Sequence, residues 1–498
     1  MKKAITLITI LLNFGYIQAQ APAIQWQKCY GGSLFEEPTD IKLTSDGGYV
    51  VVGKSESNDG NVTGNHGIYD FWIVKLDATG SIQWQKCFGG TNYDFANAIQ
   101  TTSDGGYIVV GNSNSTNGDV TGNHGNDDCW VVKLDATGSI QWQKSLGGSN
   151  RDVGFDIQTT SDGGYIVAAN SRSNNGDVIG NHGAQDYWIV KLDASGAIQW
   201  QKSYGGTGDE NVSAIQITSD GGYVVIGTSS SNNGDVTGNH GAGDCWVLKL
   251  DATGILQWQK SLGGSNEEGG KSIKITSDGG YIIAGFSFST NGNVTQNYGD
   301  SDCWVIKLDV TGNLQWQKSL GSYGTDNAFA VELTSDGGYL IAGINAQDCW
   351  VLKLDATGVL LWQKSFGGPN GDFAYAIKTI PDGSYVCAGF SAENGGDVTG
   401  NHGGGDYWIV KLGPDLATPV FEKQAIVIYP NPVCNELQIQ STANTTITSA
   451  KIITINGQVV LEQTQNSNTI NVENLAQGMY ILEAYSGEEK YTNKFVKE

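Results

Sequence analysis

The sequence predicts an all-β protein: a seven-bladed β-propeller of four-stranded blades, closed by its N-terminal strand, followed by a small C-terminal β-sandwich. Three observations predict it. A Trp-Gln-Lys tripeptide recurs seven times, with Trp26, Trp84, Trp142, Trp200, Trp258, Trp316 and Trp362, the first six spaced 58 residues apart. A second Trp heads an apolar stretch at Trp72, Trp130, Trp188, Trp246, Trp304, Trp350 and Trp408, so all 14 Trp residues belong to one repeating unit. Within each unit the residues alternate and are punctuated by turn chemistry, the mark of short strands repeated at a long period.

The second copy shows the strands in order. Asn97 to Thr102 reads as strand A, Ser103-Asp104-Gly105-Gly106 as a turn, and Tyr107 to Asn112 as strand B. A loop of about fifteen residues leads to strand C, Cys129 to Leu134, then a turn at Asp135-Ala136-Thr137-Gly138 and strand D, Ile140 to Lys144. Four-stranded units repeated radially stack face to face, and the strand C Trp then fills the space between neighbours. The repeats open on a lone strand D, Ile24 to Lys28, and stop after strand C at Leu412. The first strand is therefore expected to complete the last blade.

The flanks differ in composition. Residues 1–20 have two Lys followed by an apolar run from Ala4 to Leu12 and small residues at Ala19 and Ala21, the pattern of a secretory signal peptide. The expected organisation is signal peptide 1–20, propeller 21–412, linker 413–424 and C-terminal β-sandwich 425–498. No other segment is long and apolar enough to span a membrane, and the propeller is expected to be monomeric. A net charge of -23 with only two Arg excludes nucleic acid as a partner, because phosphate recognition needs clustered cations. The eight Cys fall mostly at equivalent repeat positions, a whole unit apart, so most are expected to be free buried thiols.

Acidic side chains recur on one rim of the ring. Glu36, Asp94, Asp152, Glu210, Glu268, Asp326 and Asp372 precede strand A and are expected to ring the channel mouth. Asp70, Asp128, Asp186, Asp244, Asp302, Asp348 and Asp406 stand two residues before the strand C Trp. Together they form a candidate metal or ligand rim. Calcium, which prefers carboxylate and carbonyl oxygens, is the candidate cofactor, although no twelve-residue calcium loop is present and the same carboxylates could bond loop amides. The turn residues Asp46 and Asp77 and their copies are assigned structural roles.

All five His residues, His66, His124, His182, His240 and His402, lie in the B-to-C loop within Gly-Asn-His-Gly. One His per blade does not build a zinc site. Capping of the loop is the expected role, and the contiguous arc of five loops is a candidate interaction surface. Blade five replaces the His with Tyr298, and blade six lacks 12 residues of the loop, so the loop is dispensable for the fold.

Three resemblances add to this. The segment Lys75-Leu76-Asp77-Ala78-Thr79-Gly80-Ser81-Ile82-Gln83-Trp84 resembles the Trp-docking repeat of PQQ-type quinoproteins, but seven blades, the lack of a Cys-Cys pair and the two irregular Arg sites do not support that cofactor. Asp-Gly-Gly-Tyr-Ile-Val-Val-Gly resembles the delta-sixty propeller repeats of secreted bacterial proteins. The tail, with Tyr429-Pro430-Asn431-Pro432, Gly457, and Gly478 with Tyr480, closely resembles the type A C-terminal sorting domain of the type IX secretion system of Bacteroidetes. That resemblance implies export through the outer membrane by the type IX machinery, removal of the tail, and attachment or release at the cell surface, after the Sec export that the signal peptide predicts. The favoured function is a binding or scaffold module with an extracellular protein or glycan ligand, because no nucleophile with its base, acid/base pair or metal triad departs from the repeat. The alternative is an extracellular enzyme, a quinoprotein or hydrolase, with its site at the channel mouth.

Overall fold

The computed structural model describes residues 20–415, 426–441, 447–454, 457–464, 468–486 and 489–498. The signal-peptide segment and most of the expected linker lie outside the described residues. The chain divides near residue 416 into two compact units.

In the larger unit, β1 (Ile24–Tyr30) is followed by a first complete sheet of β2 (Glu36–Leu43), β3 (Tyr49–Ser55), β4 (Asp70–Leu76) and β5 (Ile82–Phe88). Five sheets of the same order follow: β6 (Asp94–Thr101) to β9 (Ile140–Leu146), β10 (Asp152–Thr159) to β13 (Ile198–Tyr204), β14 (Glu210–Ile217) to β17 (Leu256–Leu262), β18 (Glu268–Ile275) to β21 (Leu314–Leu320), and β22 (Asp326–Leu333) to β25 (Leu360–Phe366). The last sheet comprises β26 (Asp372–Thr379), β27 (Tyr385–Ser391) and β28 (Asp406–Leu412), with β1 antiparallel to β28 as its fourth strand. Seven four-stranded sheets result, in the arrangement of a propeller of seven blades. The first strand of each blade lies against those of its two neighbours, β2 touching both β26 and β6.

Both repeated Trp residues join elements. Trp130 of strand C is fully buried and sits 4.6 Å, ring to ring, from Phe71 of the preceding blade. Its indole N–H donates to Gln143 Oε1 at 2.7 Å, so the Gln of the Trp-Gln-Lys motif satisfies the buried donor of its own blade. The motif's own Trp reaches outward: Trp84 meets Tyr107 of the next blade edge-on at 5.8 Å. It also covers Gly138 there, where φ is 76° and an added Cβ would lie 2.9 Å from the indole. Only Gly suits such a turn under a ring. The same pairing links the chain ends, with Trp408 donating to Gln27 at 2.6 Å and Trp26 packing on Tyr49 at 6.1 Å.

The strands extend beyond their sequence-derived bounds. Strand A of the second blade begins at Asp94, three residues earlier than expected, because its register shifts between Ala96 and Ala98. The bulge at Asn97 interrupts the two-residue alternation from which a strand is read. Every strand A carries the equivalent shift.

The smaller unit has a three-stranded sheet, β29 (Ile426–Tyr429), β30 (Glu436–Ser441) and β33 (Thr469–Asn471), and a four-stranded one, β31 (Ser449–Thr454), β32 (Val459–Gln463), β34 (Gly478–Ser486) and β35 (Glu489–Lys497). Leu437, Ile439 and Ile470 of one sheet share a core with Ile452, Leu482 and Phe495 of the other, giving the expected sandwich. Asn431 accepts from Val496 N at 2.9 Å and donates to Lys494 O at 3.1 Å, which ties the Tyr429-Pro430-Asn431-Pro432 segment to β35. Tyr480 stacks on Phe495, and Gly457 adopts a φ of 86° in its turn.

Candidate functional site

The acidic residues of the rim face inward. Thirteen of the fourteen are 0–1% exposed, and Asp348 is half-buried. They are the first residues of strands A and C, not loop residues preceding them. Glu36, Asp94, Asp152, Glu210, Glu268, Asp326 and Asp372 therefore do not line the open channel; each accepts a backbone N–H from the turn before its strand, as Asp94 does from Gly90 at 2.8 Å. The reason is the D-to-A turn, whose amides would otherwise be buried without partners.

The strand C carboxylates meet the same turns from the neighbouring blade. An added Cβ on Gly89 would stand 2.5 Å from Asp94 Oδ2 and 2.7 Å from Asp70 Oδ1, so the two carboxylates flank one side-chain-free point between blades. The arrangement recurs for Asp128 with Asp152, Asp186 with Glu210, Asp244 with Glu268, Asp302 with Asp326, Asp348 with Asp372 and Asp406 with Glu36. Burial, with a smaller contribution from Asp94, raises the Asp70 pKa to about 6. The Oδ1 atoms of Asp70, Asp128, Asp186, Asp302 and Asp406 are buried without a hydrogen-bond partner. Among the described residues no group of three or more His, Cys, Asp or Glu is arranged to hold a metal ion.

Each His caps one of these carboxylates. His66, His124, His182, His240 and His402 place Nδ1 2.6–2.7 Å from Oδ2 of Asp70, Asp128, Asp186, Asp244 and Asp406, with side chains 36–42% exposed. The backbone N–H of each His donates to the same carboxylate, and in blade five Tyr298 N keeps this bond to Asp302 at 2.8 Å without the ring contact. In blade six the shortened loop leaves Asp348 only half-buried.

The channel itself is where the blades differ. A cavity of about 330 Å³ is lined by all seven A strands, and a second of about 440 Å³ shares part of its wall. The shared wall is made by the bulged residue of every strand A: Thr39, Asn97, Phe155, Ser213, Lys271, Phe329 and Tyr375. A bulge turns one extra side chain out of the ladder, here into the lumen. One layer deeper stand Lys42, Gln100, Gln158, Gln216, Lys274, Glu332 and Lys378. Seven near-identical repeats thus present two rings of mixed chemistry.

Charge in the lumen is unevenly matched. Glu332 Oε2 lies 3.1 Å from Lys274 Nζ and 3.0 Å from Lys378 Nζ, so two ammonium groups share one carboxylate oxygen. These lysines counter the effect of burial and hold the Glu332 carboxyl at about 2. Asp40 is paired with Lys42, and it accepts from Ile41 N at 2.8 Å and from Ile99 N of the next blade at 3.1 Å. Asp156 likewise accepts from Ile157 N and Ile215 N, and burial lifts its pKa to about 6.

Aromatic rings form a continuous arc above the lumen. Phe329 contacts Phe373 and Tyr375; Phe373 contacts Phe390, which meets Phe35 at 5.2 Å; and Phe35 leads through Tyr69 to Tyr93 and Phe95. Lys54 sits over Phe35, Tyr69 and Phe95, and Glu37 joins it to the Tyr375 hydroxyl. Sequence reading aimed at shared residues passed over all of these. Their signal is variation at three positions of strand A, at the residue before strands A and C and at one position of strand B, while the Trp, turn and buried acidic positions repeat.

All eight Cys are unpaired, seven of them buried and Cys434 exposed. No helix among the described residues is long and apolar enough to cross a membrane.

Comparison with known proteins gives limited likeness for the propeller. The regulatory protein FlaEY of Caulobacter vibrioides is 25% identical over 235 residues, 43% of this chain, and the match spans a quarter of the length of that curated relative. Among solved structures, PorZ, a bacterial surface component of the type-IX secretion system of Porphyromonas gingivalis, aligns with a TM-score of 0.40 at 11% identity, over 94% of this chain and 59% of that one. A puromycin hydrolase aligns with a TM-score of 0.47 at 13% identity, over 92% and 60% of the two chains. The tail gives a direct assignment. Residues 427–498 match the secretion system C-terminal sorting domain, so the chain carries a type IX sorting tail, which indicates export to the cell surface or the medium.

Proposed function

We propose that the propeller is the binding module of this exported protein and that its ligand, an extracellular protein or glycan, engages the rim bearing the aromatic arc and the channel mouth. One observation carries the reading: the repeats diverge where the strand A bulges enter the lumen and at the neighbouring rim positions that hold Phe35, Tyr69 and Lys54, while the Trp residues, the turns and the buried acidic positions stay nearly constant. A symmetric scaffold has no need of such divergence, whereas a site for an asymmetric ligand does. The His-bearing loops of blades seven, one, two, three and four flank the same rim. The sorting tail addresses the type IX machinery and is expected to be dispensable for binding.

The test is binding of the purified chain to arrays of glycans and surface proteins, repeated with Phe35→Ala, Tyr69→Ala and Phe95→Ala. Loss of a hit in these variants, with melting unchanged, supports the reading; hits that persist in all three place the site elsewhere.

Calcium is a second element of the proposal. The flanking carboxylates between blades, with orphaned Oδ1 atoms, supply hard oxygen donors of the type calcium prefers. Millimolar calcium is then expected to raise the melting temperature reversibly with EDTA. No shift discards the metal.

A further inference from the structure

The lumen has a specific chemistry that the rim does not. Four lysines, Lys42, Lys271, Lys274 and Lys378, point into it in a protein of net charge -23. Three carboxylates line this cavity: Asp40 and Asp156 are each held by two backbone amides, Asp40 also pairs with Lys42, and both lie in the field of Lys378, while Glu267 lines the adjoining cavity. Glu332 answers two lysines with one oxygen. Lys271 has no carboxylate within ion-pairing distance among the described residues, Glu267 acting on it only from farther off, and it lies 5.4 Å from the Phe286 ring. The space of about 330 Å³, within the range of small-molecule sites, is thus lined by four lysines and three carboxylates, one more cation than anions. The bulged Phe155, Phe329 and Tyr375 form apolar walls directly above it.

We propose that the channel binds a small carboxylate-bearing ligand, its charge held by Lys274 and Lys378 and its body against Phe155, Phe329 and Tyr375. A carboxylate suits the site because its two oxygens can each accept from one ammonium, taking the place that Glu332 fills with a single oxygen. A neutral ligand would leave the surplus charge uncompensated, and a cation would be repelled. Gln100, Gln158 and Gln216, at the same depth, offer amide donors and acceptors for hydroxyl groups on the ligand body. This inference rests on the reading of the propeller as a binding module whose ligand enters at this mouth.

Isothermal titration of the full chain with glucuronate, galacturonate, citrate, inorganic phosphate and glucose tests it. A sugar acid or citrate is expected to bind, and glucose is not. Lys274→Gln and Lys378→Gln are expected to weaken binding about tenfold or more, and Glu332→Gln to tighten it by removing the competing anion. Lys364→Gln, on an outer strand, serves as the control, and thermal melting verifies folding of each variant. No carboxylate bound at up to about 10 mM, or binding indifferent to Lys274 and Lys378, overturns the proposal. Phosphate bound more tightly than every carboxylate reassigns the site and overturns it as well. If array hits on the rim persist while the lysine variants change nothing, the binding-module reading stands and the carboxylate site alone falls.

Discussion

At the scale of single residues, function and stability use different side chains. Trp130, fully buried between blades, is expected to cost about 3–5 kcal/mol when changed to Ala, whereas Tyr323→Ala, at a side chain 93% exposed, should stay within about 0.5 kcal/mol. Denaturant titration of the two variants checks this. The buried carboxylates set a pH dependence with a definite sign. Asp70 has its folded pKa raised to about 6 from 3.8, so its favourable contribution is full below the lower value and is lost as pH rises through about 6. In EDTA, stability from this source should fall by on the order of 1–2 kcal/mol between pH 4 and 7. Asp70→Asn should flatten that slope whatever its effect on the baseline; an unchanged slope would show that Asp70 is not the titrating group. The sequence made the recurrence of Asp70 and Asp94 plain but not their meeting. Their approach depends on how two blades stack, with Gly89 leaving the space.

At the scale of elements, each blade is pinned at its far end by a lysine from strand C. Lys133, 5% exposed in its side chain, donates to Asp104 at 2.8 Å and to Leu134 O at 2.9 Å. The hydrogen bond from Lys133 draws the Asp104 pKa to about 2, so this contribution is present above the usual carboxylate range and fades as pH falls from about 4 to 2. Asp104→Ala leaves the ammonium with Leu134 O alone and, because Asp104 is half exposed, should cost about 0.5–1.5 kcal/mol, read by urea denaturation at pH 7, with a smaller difference from the parent near pH 2.5. Strands B, C and D were legible from alternation and turn residues. Strand A was read short because its bulge breaks the alternation, and the bulge is also what turns the variable residues into the lumen.

At the scale of the whole molecule, the last blade is assembled from both ends of the propeller unit. Trp408 of β28 donates to Gln27 of β1 in the geometry that Trp130 and Gln143 adopt within one continuous blade. Gln27→Ala and Gln143→Ala should therefore each cost about 1–3 kcal/mol by leaving an indole N–H buried and unpaired. A cost near zero for Gln27→Ala alone, in parallel melts, would show that β1 does not hold the last sheet. Removing residues 425–498 is expected to abolish surface delivery while the secreted-form propeller, made without its tail, retains ligand binding.

The sequence by itself determined the blade number, the offset of the first strand and the sorting tail, because period, turn chemistry and motif order are carried by residues close together in the chain. Only the tertiary structure decided that the acidic residues are buried between blades and that Lys274, Glu332 and Lys378 share one lumen. Glu332 and Lys378 are 46 positions apart and belong to different blades. Their contact exists only because seven A strands surround a common channel, which no local pattern encodes.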